Sequence, residues 1–193
     1  MKKLFVLVLL FSSLGLTAQF NSGSFYFTGA TDLNFGLEVD EGYSSVLAGF
    51  HPEGGYFIMN RLGIGGGIHT DSSLPVGEYA EFTDATFEVY LGPNVRYYLP
   101  REDDWQVYGY GFLFYGFTQE PGGFDASNHQ LYGFTVGPGV NYFLSERVAF
   151  DARLTYMFKH QWNPEMGGSH NIHRFFFEMG ISVFFPSITF FFF

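Results

Sequence analysis

The chain has 193 residues, a formal net charge of −10, 27 Phe, 13 Tyr, 25 Gly and no cysteine. The acidic balance disfavours nucleic acid as a partner, because phosphate binding needs clusters of Lys and Arg. The lack of cysteine excludes disulfides, thiolate metal sites and a lipid-modified N-terminal cysteine.

Residues 1–18 are predicted to be a secretory signal peptide. Two lysines open the segment, an apolar stretch follows over residues 4–16, and Thr17 and Ala18 provide a small-residue cleavage point. The apolar stretch is short for a membrane-spanning helix, which argues against a retained anchor. We therefore expect residues 19–193 to form one exported domain, with a net charge of −12 once the two lysines are removed.

The rest of the chain alternates apolar and polar residues with a period of two, which predicts β-strands. The clearest example places Phe87 and Val95 on one face and Glu88 and Arg96 on the other. In a transmembrane barrel the apolar face points to lipid and the polar face points inward. Eight strands are predicted, near Ser24–Gly36, Val46–Met59, Leu62–Thr70, Ala85–Leu99, Trp105–Phe117, Leu131–Leu144, Val148–Lys159 and Arg174–Phe185. The facing of the fifth strand stays open, because its residues are almost all apolar.

The predicted connections alternate between short and long, as in outer-membrane barrels with short periplasmic turns and long outer loops. The short connections lie near Asn60-Arg61, Pro100–Asp104 and Ser145–Arg147. The long connections lie near Leu37–Ser45, Asp71–Asp84, Thr118–Gln130 and His160–His173.

A proline followed four residues later by an aromatic pair recurs at the end of the hairpins. The first tyrosines of the three pairs are separated by 41 and 45 residues, which indicates one repeated hairpin unit. Aromatic rings favour the membrane–water interface. We expect an interfacial aromatic frame formed by Tyr56, Tyr97, Trp105, Tyr142 and Phe185. Four hairpins predict an all-β fold, an eight-stranded antiparallel up-and-down transmembrane β-barrel.

The prolines of this repeat, Pro52, Pro93 and Pro138, fall inside predicted strands. Proline cannot donate a hydrogen bond to a strand ladder, so we expect a β-bulge at each of them.

The segments Pro52–Ile58, Gly92–Pro100 and Gly137–Ser145 resemble the outer-membrane β-barrel domain family common in Bacteroidetes. That family is similar in fold to the OmpA transmembrane domain and to OmpX- and OmpW-type barrels. The resemblance covers nearly the whole mature chain. It implies location in the cell outer membrane, contact with outer-membrane lipid, and recognition of the C-terminal aromatic strand by the barrel-assembly machinery. Either Phe185 or Phe193 can close that strand, and the role of the final residues stays open.

An eight-stranded barrel has an interior just wide enough to be filled by side chains. We expect an interior ionic network formed by Asp32, Glu53, Glu88, Arg96, Asp151, Arg153 and Glu178, with Lys159, His51 and His69 also facing inward. Buried charges must be paired. We interpret the network as a plug of ion pairs. The alternative is a narrow pore gated by Arg96 paired with Glu88 or Glu53.

Two further constellations carry weaker signals. The pair His170 and His173, in the fourth long loop, has a spacing that zinc or copper can use, but a flexible loop gives it no fixed geometry. Asp125, Ser127 and His129 supply triad residue types in the third long loop, yet neighbours two apart rarely form a working triad. We therefore expect no metal, no cofactor and no enzymatic activity.

The sequence as a whole predicts a monomeric integral outer-membrane protein with a structural or surface-interaction role. A narrow porin-like channel or a transporter of small apolar molecules is the alternative. A lipid-modifying enzyme is less consistent with the sequence, and a soluble lipocalin-like barrel conflicts with the apolar outward faces. Fold alone does not decide among these roles.

Overall fold

The computed structural model describes residues 20–32, 44–76, 86–100, 104–119, 128–162 and 168–187. It contains the strands β1 (Phe25–Asp32), β2 (Ser44–Met59), β3 (Leu62–Val76), β4 (Thr86–Tyr98), β5 (Trp105–Gln119), β6 (Asn128–Phe143), β7 (Val148–Trp162) and β8 (Ser169–Phe185). Each strand pairs antiparallel with the next, and β8 returns to pair with β1. The predicted eight-stranded barrel is confirmed. The described residues include no helix long and apolar enough to cross a membrane.

Several strands are longer than the alternation pattern predicts. β3 continues to Val76, and β7 and β8 stay paired as far as Trp162 and Ser169. The predicted long loop His160–His173 is therefore wrong over most of its length. Backbone hydrogen bonds between neighbouring strands do not depend on side-chain polarity, so a ladder can continue where the apolar pattern has ended.

The facing of the strands follows the predicted alternation. In β4, Phe87 and Val95 are exposed on the outer wall, while Glu88 and Arg96 are buried inside. The structure also settles the facing of β5. Its exposed outward side chains are Trp105, Val107, Leu113, Tyr115 and Phe117, and its buried inward side chains are Gln106, Tyr108, Tyr110, Phe112, Phe114 and Thr118.

The predicted β-bulges at the three prolines are wrong. Across β4 and β5, Leu91 faces Tyr115 and Asn94 faces Phe112, so the register is the same on both sides of Pro93. The ladder lacks the bridge pairs in between, because a proline nitrogen has no hydrogen to donate. The β2–β3 and β6–β7 ladders are interrupted in the same way, again without a change of register.

The aromatic frame lies near the short-turn end of the barrel. Tyr56, Tyr97, Trp105 and Tyr142 are exposed on the outer wall, and the ring centroids of Trp105 and Tyr142 are 4.8 Å apart. Phe185 is the last residue of β8, and it pairs with the first residue of β1. Residues 188–193, which include the alternative closing residue, lie outside the described residues.

Candidate functional site

The candidate site is the barrel lumen, which is filled by three successive layers of side chains. An aromatic layer lies at the short-turn end, an ionic layer occupies the middle, and a layer of histidines and further charges lies toward the opposite end. Apart from Phe20, which precedes the first strand, all three layers are built from inward-facing positions of the alternating strands, which is why polar and aromatic residues share one face.

The aromatic layer closes the short-turn end. Phe20, which precedes β1, stacks on Tyr98 with ring centroids 4.4 Å apart and meets Phe184 edge-on at 5.2 Å. Phe57 and Tyr98 are fully buried in this layer. The backbone of Phe20 is anchored, because its carbonyl accepts a hydrogen bond from the N–H of Arg61. The N-terminal segment therefore contributes a ring to the lumen, a role that the sequence did not predict.

Glu53 is the centre of the ionic layer. Its carboxylate accepts hydrogen bonds from Arg96 Nη2 at 2.8 Å, from Arg153 Nη1 at 2.7 Å and from the hydroxyl of Tyr110 at 2.8 Å. Asn94 Nδ2 donates to the same carboxylate at 3.2 Å. One anion thus joins two cations that come from β4 and β7 on different sides of the barrel.

Two more carboxylates complete the pairing of the arginines. Arg153 Nε donates to Glu178, and Arg96 Nη1 lies 3.3 Å from Asp151 Oδ2. Asp151 also accepts hydrogen bonds from Tyr108 at 2.7 Å and from Ser182 at 2.8 Å. The layer therefore gives each of its buried charged groups two or more partners, and such pairing is what makes buried ions tolerable.

Tyrosine rings flank both guanidinium groups. The Arg153 guanidinium lies 4.3 Å from the ring centroid of Tyr110, and that of Arg96 lies 4.9 Å from the ring of Tyr26. A cation over an aromatic face is favourable, and more so where water is excluded. Tyr26, Tyr108 and Tyr110 were not predicted as network members. Only Tyr26 carried a sequence signal, because it lies on the predicted polar face of β1. Tyr108 and Tyr110 carried none, because the facing of the almost wholly apolar β5 could not be predicted.

The third layer contains two histidines and a separate group of charges. His51 Nε2 is 2.8 Å from Asp71 Oδ1, and His69 Nε2 is 3.2 Å from Glu53 Oε1. Further along the lumen, Lys159 Nζ is 2.7 Å from Glu88 Oε2. Arg174 Nη1 is 3.8 Å from the same oxygen. Both members of the pair formed by Lys159 and Glu88 are buried.

The structure brings six of the seven predicted network residues together in the lumen. Glu53, Arg96, Asp151, Arg153 and Glu178 form one connected cluster, while Glu88 belongs to the layer above it. The predicted pairing of Arg96 with Glu53 is present, and Glu88 pairs with Lys159 instead. Asp32 lies in β1, and its side chain is outside the described set.

The weaker histidine predictions are corrected by the strand boundaries. His170 and His173 belong to β8, and His129 belongs to β6, so none of them lies in a loop. His173 Nδ1 lies 2.6 Å from the hydroxyl of Tyr156. Asp125 and Ser127 are outside the described residues. Within the described ranges no group of three or more His, Asp or Glu is arranged to hold a metal ion.

Comparison with solved structures finds the same architecture in proteins of very different sequence. Neisserial surface protein A is 15% identical with a TM-score of 0.61, and the match covers 84% of this chain and 97% of that one. The outer membrane protein OprG from Pseudomonas aeruginosa is 13% identical with a TM-score of 0.53, covering 88% and 99%. The outer membrane protein AlkL, solved in lipid bilayers, is 10% identical with a TM-score of 0.52, covering 92% and 97%.

The likeness is one of fold. No family model matches the chain, and no curated protein matches it in sequence. The resemblance to the Bacteroidetes family therefore stays a prediction, whereas the likeness to eight-stranded outer-membrane barrels is shown by structure.

Proposed function

We propose that the protein is an integral outer-membrane β-barrel with a sealed lumen and a structural or surface-interaction role. The observation that carries this proposal is the double ion pair of Glu53 with Arg96 and Arg153, in which all three side chains are at most 2% exposed. A permeable lumen needs water beside its charges, and these charges contact one another instead. The outer-membrane setting is supported by the apolar outer wall and by the fold of the matching structures.

The sealed lumen suits a protein that acts through its surface rather than through transport. Closing the sheet removes every strand edge, so the barrel can be stable in lipid without a partner chain. The ion pairs then fix the side chains inside and hold the wall in one shape. We therefore expect partners to bind the parts of the chain beyond the outer ends of the strands.

Single-channel conductance in a planar bilayer tests the proposal at neutral pH. We expect the purified protein to give no stable conductance steps, while its heat-modifiable gel mobility shows that it is folded. Stable steps from the folded protein would overturn the sealed lumen. If those steps changed in size on Arg96→Ala, the narrow porin-like channel gated by the interior charges would replace it.

A further inference from the structure

His51 and His69 form a stacked pair inside the barrel. They occupy opposed positions on β2 and β3, their ring centroids are 4.0 Å apart and the rings are 10° from parallel. Phe112 of β5 stacks on His69 with centroids 4.2 Å apart. Both imidazoles are only 2% exposed, so water cannot screen charge on them.

Each imidazole has its own carboxylate. His51 pairs with Asp71 across β2 and β3, and His69 pairs with Glu53 in the opposite direction across the same two strands. Tyr90 donates its hydroxyl hydrogen to Asp71. The two histidines therefore make a crossed pair of links between neighbouring strands, and the second link ends on the central anion of the ionic layer.

Two glycines make room for the pair. A Cβ atom at Gly49 would lie 2.8 Å from His51 Nε2, and one at Gly67 would lie 2.8 Å from Glu53 Cγ and 3.3 Å from His69 Nε2. The two distances of 2.8 Å are shorter than real Cβ atoms allow, so a side chain at Gly49 or Gly67 would force a neighbouring atom to move. A larger residue at either position would displace an imidazole or its carboxylate, because the nearest atoms belong to Asp71 at Gly49 and to Glu53 at Gly67.

Among the described side chains of the lumen, the carboxylates outnumber the permanent cations by one. The described carboxylates of the lumen are Glu53 on β2, Asp71 on β3, Glu88 on β4, Asp151 on β7 and Glu178 on β8. The described cations are Arg96 on β4, Arg153 and Lys159 on β7, and Arg174 on β8. Among the described side chains, the inward ionisable groups of β1 and β5 are the tyrosines Tyr26, Tyr108 and Tyr110. One proton on the histidine pair balances these charges, and a second leaves an excess of positive charge.

The hydrogen-bond ladder between β2 and β3 is interrupted beside the histidine pair. Between β2 and β3, Phe50 faces Thr70 and Glu53 faces Gly67, but the bridge pairs between them are missing at Pro52. The backbone hydrogen bonds are thus fewest where the two imidazoles stack. The crossed histidine links hold the strands together at this point.

We propose that His51 and His69 form an acid-sensitive latch of the lumen. With a single positive charge on the pair, the stacked rings link Asp71 and Glu53 and keep the β2–β3 wall closed. With two protons, the like charges in van der Waals contact separate the rings, loosen the wall at Pro52 and release Glu53 from the layer below. Because β2 also carries Phe57 of the aromatic layer, loosening this wall opens the aromatic layer as well, and the lumen becomes conducting. This inference rests on the proposed sealed lumen, which it describes at neutral pH.

The test compares single-channel conductance of the purified protein at neutral pH and at about pH 4, because burial makes a histidine pair harder to charge than an exposed one. We expect the opening frequency of the wild type to rise at least about tenfold, the factor by which protonation changes per pH unit, and to return to its initial value at neutral pH. His51→Gln and His69→Gln keep a polar side chain but cannot form a charged pair, so both variants stay closed. His173→Gln, an exposed position on β8, is the matched control and opens like the wild type.

The outcomes separate the latch from the sealed lumen. Silence of the folded wild type at both pH values would overturn the latch while the sealed lumen stands. Conductance already present at neutral pH would overturn the sealed lumen and the latch with it. Acid opening that persists in both His→Gln variants would overturn the latch alone.

Amide hydrogen exchange, corrected for the intrinsic pH dependence of exchange, gives a readout that does not depend on conductance. We expect acid to accelerate exchange of the β2–β3 wall by at least about tenfold relative to the β6–β7 wall. The β6–β7 ladder is interrupted at Pro138 in the same way, yet Gly137 and Thr155 occupy the positions that correspond to the histidines. Equal acceleration of both walls would overturn the latch.

Discussion

At the residue scale, Glu53 is the side chain on which most of the interior depends. It is 1% exposed and it accepts hydrogen bonds from two arginines, a tyrosine and an asparagine. A buried anion of this kind is tolerated only because its partners surround it. The two arginines depend on Glu53 in turn, because both guanidinium groups face this carboxylate and would repel each other without it.

We expect Glu53→Gln to lower the free energy of unfolding by about 3–5 kcal/mol, the range for removing one member of a buried ion pair. Glutamine has nearly the same shape, so the loss reflects charge rather than packing. Urea titration of the protein in detergent micelles, followed by intrinsic fluorescence, measures it. Glu146→Gln, an exposed position in a short turn, is the matched control and should change stability by less than about 0.5 kcal/mol. Equal effects of the two substitutions would show that the ionic layer adds no stability.

At the scale of the strand, the interrupted ladder between β4 and β5 explains why glycine precedes proline there. Pro93 offers no hydrogen to the facing carbonyl of Leu113, and a Cβ atom at Gly92 would overlap that same carbonyl oxygen. The pattern recurs in β6, where a Cβ at Gly137 would overlap the carbonyl oxygen of Leu154. The recurring Gly-Pro pair therefore lies where two neighbouring strands approach each other closely.

We expect Gly92→Ala to destabilise the barrel by about 1–3 kcal/mol or more, because a backbone carbonyl cannot move aside as a flexible side chain can. Gly109→Ala is the matched control, since a Cβ there meets no atom within 4 Å. The temperature at which the heat-modifiable band disappears on a gel compares the two variants. A Gly92→Ala protein as heat-resistant as Gly109→Ala would contradict the close approach.

At the scale of the whole molecule, the barrel is inverted relative to a soluble protein. Large apolar side chains cover the outer wall, with Leu113 62% and Leu91 58% exposed, while arginine, lysine and glutamate are buried inside. Such an outer wall is stable only when a second apolar phase surrounds it. In the proposed outer-membrane setting, the bilayer supplies the apolar contacts that a soluble barrel would make in its own core.

Substituting arginine on the outer wall tests this arrangement by depth. We expect Leu113→Arg, near the middle of β5, to lower the free energy of unfolding from lipid vesicles by about 2–4 kcal/mol. Leu144→Arg, at the short-turn end and just as exposed at 61%, should cost about 0–1 kcal/mol. Equal and small costs at the two positions would mean that the outer wall faces water.

Strand number, strand order and the facing of most strands were determined by the sequence itself, because alternation and the aromatic repeat are local patterns. The facing of β5 was left to the structure, because its residues are almost all apolar. Most inward charges were recognisable from their own strands, Glu53 and Arg96 among them, whereas Asp71 was predicted to lie in a loop. The extra length of β3 and β8 was not recognisable, since ladder hydrogen bonds leave no side-chain signal. The sequence also could not predict that the strand register is the same on both sides of Pro93. A proline shows that one hydrogen-bond donor is missing, but not how the ladder continues beyond it.

Only the tertiary structure decided which charges meet. Glu53 pairs with Arg153, 100 residues further along the chain, while Glu88 pairs with Lys159 rather than with Arg96. These partners depend on the stagger of the strands, which sets the height of each side chain in the lumen. The stacking of His51 on His69 has the same origin. Local sequence patterns identified the residues that face the lumen, and the stagger of the strands in the closed barrel determined which of them pair.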